Sequence, residues 1–165
     1  MSTGEYGQFN VFNSWYAISS VIVTLNLSSS VYLVGLVKFE GRGREFSSSL
    51  QGLTLILCLV WALVYVPTRF FWNGLFQLTT MQMLSMIVMI WSTAAFSFWM
   101  TEQRNRFKYR LLVAVTLVVS VLKPAVGIAL VQHASDKVTA RIVGLAVVEL
   151  ACYTVFFVVQ MVRGR

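Results

Sequence analysis

Five long runs of apolar residues dominate this sequence. A helix needs roughly 17–25 apolar residues to cross a bilayer core of about 30 Å, and each run comes close to that length. The runs cover residues 15–37, 50–66, 77–99, 111–132 and 142–162. The second run is the shortest and is expected to end before Pro67, because proline interrupts a helix. The pattern predicts an all-α integral membrane bundle of five transmembrane helices in a single domain, residues 1–165.

Composition agrees with a chain that lies in lipid. Hydrophobic residues make up 58% and charged residues only 12% of the sequence, whereas soluble domains carry about 25% charged residues. The net charge of +7 could indicate nucleic-acid binding, but the basic residues lie between the apolar runs rather than in one soluble region. We therefore expect a multi-pass membrane location. The expected partners are the lipid bilayer and other transmembrane helices, either of protein subunits or of copies of the chain, and no nucleic acid.

The basic residues also predict an orientation. With the N-terminus outside, three basic residues fall in outer segments, namely Arg69, Lys137 and Arg141. Nine fall in cytoplasmic segments, namely Lys38, Arg42, Arg44, Arg104, Arg106, Lys108, Arg110, Arg163 and Arg165. Lysine and arginine in short loops resist translocation, so this bias predicts an outside N-terminus and a cytoplasmic C-terminus. Because no basic residue precedes Lys38, the first run lacks the charged start of a signal peptide and is expected to be retained as a span.

A lysine and a proline interrupt the fourth run, at Lys123 and Pro124. A lone charge at the centre of a transmembrane helix costs about 2.5–3.5 kcal/mol on the lower scales, so Lys123 requires a way to reduce that cost. The cytoplasmic end of its helix lies near Arg110, 13 residues away (123 − 110), which is about 20 Å along a helix. A lysine side chain does not span that distance.

The acidic residue that can neutralise Lys123 is Glu149, which is the only acid within any of the five runs. Lys123 lies nine residues from the outer end of the fourth run (132 − 123), and Glu149 lies seven from the outer end of the fifth (149 − 142). The two depths therefore differ by about 3 Å. A short connection makes the two helices antiparallel neighbours. The sequence predicts an intramembrane Lys123–Glu149 ion pair, which serves either as a structural contact or as a transport site.

Pro124 predicts a kink in the fourth helix. Proline has no N–H to donate and its ring displaces the carbonyl one turn earlier, which here belongs to Ser120. The freed carbonyl then needs another donor, which a neighbouring hydroxyl, the Lys123 ammonium or a water could supply. A kink beside a charged pair suits a hinge, and it equally suits a static helix that bends.

Small and polar residues recur at steps of three and four along the runs, which places them on one side of each helix. Such a face in lipid usually marks helix–helix contact, because small side chains permit close approach and polar ones form hydrogen bonds. The seam that we predict includes Ser120, Gln82, Asn26 and Tyr153. It is interpreted as the inside of a packed bundle, with a water-filled pathway as the alternative.

Residue sets that carry out chemistry are missing from the sequence. The chain has one histidine, His133, and two widely separated cysteines, Cys58 and Cys152, without a CxxCH or a glycine-rich phosphate loop after a strand. Four methionines in the third run could suggest a soft metal, but adaptable packing explains them better. We therefore expect no cofactor, no metal site, no catalytic residue and no enzymatic activity.

The function expected from the sequence is that of a non-catalytic polytopic membrane protein, a helix-packing subunit of a larger or homo-oligomeric assembly. A small ion or solute channel or transporter that uses the Lys123–Glu149 pair is the first alternative. A receptor-like bundle that binds a ligand is the second.

Overall fold

The computed structural model describes residues 2–39, 41–105, 107, 109–134 and 136–163, without the side chains of Ser30, Arg44, His133 and Arg163. This part of the chain is all-α and contains no strand. Its six helices are α1 (Thr3–Thr24), α2 (Ser30–Lys38), α3 (Gly43–Phe76), α4 (Thr80–Asn105), α5 (Tyr109–His133) and α6 (Lys137–Arg163). Three basic residues used to predict the orientation, Arg106, Lys108 and Arg165, lie outside the described residues.

Four helices in the described part of the chain, α3 to α6, are long and apolar enough to cross a membrane. This finding is compatible with a multi-pass membrane protein. Most of α4 is buried by its neighbours, whereas α5 exposes most of its surface. Helix α4 therefore forms the centre of the bundle, and α5 lies at its periphery.

The first predicted span differs from a single continuous helix, because residues 25–29 separate α1 from α2. Leu25 and Asn26 adopt left-handed backbone angles, with φ of 48° and 50°. Asparagine tolerates this conformation better than most residues. The adjoining serine run competes with helix geometry as well, since the Ser29 hydroxyl donates to the Asn26 carbonyl at 2.9 Å. Local backbone chemistry thus interrupts a run that is uniformly apolar on average.

The second predicted span also differs, because α3 continues through Pro67 as far as Phe76. Its 34 residues extend about 51 Å, well beyond the thickness of a bilayer core. Pro67 leaves the carbonyl of Leu63, four residues earlier, without its usual N–H donor, yet the helix continues on both sides. The hydroxyl of Thr68 donates to the Val64 carbonyl, one residue further along. The residue that follows the helix, Gln77, adopts a left-handed backbone conformation with φ of 54°.

Hydrogen bonds tie the parallel helices α4 and α6 together at three levels. Gln82 donates to Thr139 at 2.9 Å, Thr93 donates to Glu149 at 3.1 Å, and Gln160 donates to Glu102 at 2.7 Å. The partners are 57, 56 and 58 residues apart, so the register is nearly constant along the pair. Gln82 and Glu102 are 20 residues apart (102 − 82), which is about 30 Å and matches a bilayer core. Glu149 therefore lies at the middle level.

Two ends of the bundle can now be defined. The Lys137 end is where α5 finishes and α6 begins, and the Asn105 end is where α4 finishes and α5 begins. The first helix, α1, runs in the same direction as α4. The Tyr16 hydroxyl donates to Thr93, and the later residue Ser28 accepts at its carbonyl from the later residue Thr101, so residue numbers rise together along the two segments. The N-terminal helix thus starts at the Lys137 end.

Asp136 caps the N-terminus of α6, where its carboxylate accepts from the backbone N–H groups of Val138 and Thr139, both at 3.1 Å. The hydrogen bonds with Thr139 hold the pKa of Asp136 below its usual value. The carboxylate is therefore charged at neutral pH, and the cap is lost only when the pH falls through this lowered pKa.

We expect Asp136→Ala to lower the free energy of unfolding by about 1 kcal/mol at neutral pH, because two N–H groups lose their acceptor. Unfolding in mixed detergent micelles measures the change. The difference between Asp136→Ala and the unchanged protein should disappear in strong acid, where the carboxyl is protonated. A difference that is the same at both pH values would contradict the capping role.

Candidate functional site

Lys123 and Glu149 are in direct contact across the α5–α6 interface. The Lys123 Nζ atom lies 2.6 Å from Glu149 Oε1, with 28% of the lysine side chain and 6% of the glutamate side chain exposed. The two helices approach closely here because glycines face each other one to two turns away. A Cβ on Gly144 would lie 3.5 Å from the Cα of Gly127. The geometry is that of a charge-assisted hydrogen bond with one buried and one half-buried partner.

The second carboxylate oxygen of Glu149, Oε2, accepts a hydrogen bond from the neighbouring helix α4. Thr93 of α4 donates its hydroxyl to Oε2 at 3.1 Å, and Tyr16 of α1 donates its own hydroxyl to Thr93 at 3.0 Å. Lys123, Glu149, Thr93 and Tyr16 thus form one connected hydrogen-bonded chain, which we call the relay. It crosses the bundle through α5, α6, α4 and α1.

Tyr153 lies one turn beyond Glu149 on α6 and contacts the lysine from a different side. The Lys123 ammonium is 5.5 Å from the centre of its ring, within range of a cation–π interaction. Phe96 of α4 stacks on the same ring, with centroids 4.3 Å apart. Tyr153 therefore provides an apolar wall with a fixed orientation beside the ion pair.

A groove between α5 and α6 opens from the ion pair toward the Lys137 end. Its volume is about 360 Å³. Polar groups occur at both of its limits, with Lys123 at one and Gln132 and Arg141 at the other. Arg141 precedes Glu149 by eight residues (149 − 141), about 12 Å along the helix. The walls between them are formed by Pro124, Gly127, Ile128, Val131 and Leu145.

A second, smaller cavity lies on the other side of the relay and extends toward the Asn105 end. Its volume is about 150 Å³, and Thr93 and Tyr16 of the relay form part of its wall. The rest of the lining is rich in hydroxyl and amide groups: Ser20, Thr24, Asn26, Ser28 and Ser97. Such a space holds about five water molecules at 30 Å³ each and offers them hydrogen-bond partners.

The other residues of the predicted seam lie at different places. Asn26 belongs to the break between α1 and α2 and lines the hydroxyl-rich cavity. Gln82 bonds Thr139 far from Glu149, at the Lys137 end of α4. Ser120 is exposed on α5, outside the relay. Pro124 lines the groove inside α5, which continues on both sides of it.

Sequence reasoning missed three residues of the site: Thr93, Tyr16 and Arg141. The third run carries a polar stripe at Gln82, Ser85, Met89 and Ser92, and Thr93 lies 11 residues after Gln82 (93 − 82), or three helical turns. This spacing placed Thr93 on the same face as Gln82 and could have identified it. Tyr16 lies near the start of the first apolar run, where an aromatic residue is expected at a membrane interface, so its sequence position did not indicate a contact with α4. Arg141 appeared only as an outer basic residue.

The described part of the chain contains no group of three or more His, Cys, Asp and Glu side chains arranged as metal ligands. The reactive groups of the site are one ammonium, one carboxylate and the hydroxyls of the relay. Together they can exchange a proton and can bind an ion or a polar solute.

No family model, curated protein or solved structure matches this chain.

Proposed function

We propose that the chain crosses the membrane five times, with its N-terminus outside and its C-terminus in the cytoplasm. The helices α3 to α6 supply four crossings, and α1 with α2 supplies the first, interrupted at residues 25–29. The excess of basic residues toward the Asn105 end supports this orientation. The fourth crossing, α5, bends at Pro124, where a hinge would lie directly against the ion pair.

We further propose that the protein is a small secondary transporter in which Glu149 binds and releases a proton. One observation carries this proposal. The relay separates two cavities that extend toward opposite ends of the bundle, and its two outer members line one cavity each. A static contact between α5 and α6 needs no cavity on either side. An ionisable residue at mid-depth in a membrane protein is costly and typically marks a substrate or proton pathway.

Proton flux into liposomes tests this function directly. The purified chain is reconstituted with a trapped pH dye, and a potassium gradient with valinomycin sets the membrane potential. The membrane potential should drive protons through Glu149 even when the groove is empty, so we expect acidification faster than in protein-free liposomes, and we expect Glu149→Gln to reduce it to the protein-free rate. Glu102→Gln is the matched control, because it removes the carboxylate at the Asn105 level of the same helix pair. Flux that survives in Glu149→Gln, or that is lost equally in both variants, would contradict the proposal.

The helix-packing subunit is the second candidate function, and the exposed apolar faces of α3 and α5 favour it. Leu63 is 72% and Val121 is 71% exposed, so either lipid or the helices of a partner or of a second copy could cover these faces. In this case the purified chain would carry no flux, and it would migrate as part of a defined oligomer in mild detergent. In both proposals the chain acts without catalysing a covalent reaction.

A further inference from the structure

We propose that the groove between α5 and α6 binds a small organic carboxylate, and that this binding is coupled to protonation of Glu149. The inference rests on the proposed proton exchange at Glu149 and names the class of solute whose binding accompanies the uptake of that proton. It is carried by the charges at the two limits of the groove, by the apolar wall between them and by the bonding of Glu149.

The lining of the groove selects a molecule with an anionic group and an apolar body. Lys123 and Arg141 contribute two positive charges at its opposite limits, and Gln132 adds an amide near Arg141. The Arg141 guanidinium stacks over the ring of Phe9 at 4.1 Å, which fixes its position at the mouth. No acidic side chain is among the described residues that line the groove. The Glu149 carboxylate beside the groove is already held by the Lys123 ammonium, and the lining offers few hydrogen-bond partners, so a cationic or fully polar solute would bind poorly there.

The dimensions suit one small molecule. A volume of about 360 Å³ falls at the lower limit of cavities that hold small-molecule ligands, which begin at about 300 Å³. The level of Lys123 and Glu149 lies about 12 Å along α6 from Arg141. An aromatic or short-chain acid fits this distance with its carboxylate at Lys123 and its body against Ile128, Val131 and Leu145.

Charge balance couples this anion to a proton. In the present arrangement the Lys123 ammonium and the Glu149 carboxylate neutralise each other at 2.6 Å. A carboxylate that enters from the groove competes with Glu149 for the ammonium, and two anions would then share one cation at mid-depth. If Glu149 takes up one proton from water at the same time, the site holds one ammonium, one carboxylate and one neutral acid. The site is then neutral in both states, which avoids the cost of an unpaired buried charge.

The surroundings of Glu149 allow this proton to arrive. The titratable side chains around it are Lys123 from α5, Tyr16 from α1 and Tyr153 from α6, while α4 contributes Thr93. Thr93 donates to Glu149 from the wall of the hydroxyl-rich cavity, so water in that cavity lies one hydroxyl away from the carboxylate. The proton comes from a hydronium ion, so one of its O–H bonds breaks and leaves water as the O–H bond of Glu149 forms, and the Lys123 ammonium stays protonated.

Fluorine NMR of the full chain in nanodiscs tests the binding site, with 4-fluorobenzoate as the probe and 4-fluorobenzylammonium as its cationic match. We expect saturable binding of the benzoate and none of the ammonium. Lys123→Gln should weaken benzoate binding by about tenfold or more, because a charged hydrogen-bond partner is lost. The matched control is Arg69→Gln, which also removes one positive charge but lies on α3, where the guanidinium stacks on Phe70. Equal binding of both probes, or unchanged binding in Lys123→Gln, would overturn the inference.

Two further variants separate the site from a folding defect. Lys123→Arg keeps the positive charge and should bind benzoate more tightly than Lys123→Gln, although its different shape prevents full recovery. Val131→Trp fills the groove without changing a charge and should abolish saturable binding. If Lys123→Arg binds as poorly as Lys123→Gln, or if Val131→Trp binds normally, the groove is not the site.

The proposed function and this inference fail in different ways. Flux that depends on Glu149 without saturable binding of 4-fluorobenzoate refutes the carboxylate site and leaves the proton transporter intact. Saturable binding that depends on Lys123, with no flux in liposomes, refutes the transporter and keeps the groove as a carboxylate site.

Discussion

Replacing Glu149 with leucine is expected to lower the free energy of unfolding by about 3 kcal/mol, near the lower end of the range for breaking a buried ion pair. The Lys123 ammonium would lose its counter-charge while remaining mostly enclosed by α6 and Tyr153. Its 28% exposure keeps the effect near the lower end of that range. Unfolding in mixed micelles of a mild and a denaturing detergent measures the change.

The double variant Lys123→Leu with Glu149→Leu should recover most of this loss. Two apolar side chains of similar volume replace the pair, so no uncompensated charge remains at mid-depth. The double-mutant cycle isolates the coupling between the two positions, which we expect to exceed about 2 kcal/mol. A double variant whose loss equals the sum of the two single losses would show that the pair contributes no coupling energy.

Gly144→Leu is the second substitution for which we expect a large effect, a loss of about 2–3 kcal/mol from overpacking. A Cβ at this position would already lie 3.0 Å from Leu130 Cδ1 and 3.5 Å from the Cα of Gly127. The Leu130 side chain can rotate away, and the Cβ itself would only touch the α5 backbone at Gly127, but the further atoms of a leucine side chain have no room between the two helices. The larger leucine side chain therefore pushes α5 away from α6 and lengthens the Lys123–Glu149 contact. Detergent unfolding measures the stability.

Gly52→Leu on α3 is the control for this substitution, because a Cβ at Gly52 meets nothing within 4 Å. It should leave stability unchanged or raise it slightly, since glycine is a poor residue for a helix interior. Equal losses in Gly144→Leu and Gly52→Leu would show that close packing at Gly144 does not hold α5 against α6.

The sequence was most informative where two helices are joined by a short connection. The depths of Lys123 and Glu149 could be counted from one shared end, because α5 and α6 are antiparallel neighbours along the chain. The contact at 2.6 Å lies where that count placed it. The count could not show that the two helix faces meet, which depends on the close approach at Gly127 and Gly144.

The remainder of the relay depends on packing between helices that are distant in sequence. Tyr16 and Thr93 are 77 residues apart, and Thr93 and Glu149 are 56 residues apart. Hydropathy sets the depth of such residues but not the neighbour that each helix faces. The interruption at residues 25–29 was missed for a different reason. Average hydropathy is insensitive to a left-handed turn at Leu25 and Asn26, which local backbone chemistry creates inside an apolar run.

The passage of α3 through Pro67 has a similar local cause. A proline removes one backbone hydrogen bond, but the loss of a single bond does not end a long apolar helix whose remaining turns are intact. Proline is thus a weak boundary signal within a membrane-spanning run.

Infrared difference spectroscopy of the chain, recorded on addition of 4-fluorobenzoate, tests most directly whether Glu149 releases the Lys123 ammonium and becomes protonated. The carbonyl stretch of a protonated carboxylic acid is separate from the bands of carboxylates. We predict that this band appears when the benzoate binds, that it shifts in heavy water, and that it is absent in Glu149→Gln. A spectrum without the carboxylic-acid band on binding, or one in which the band persists in Glu149→Gln, would contradict the exchange.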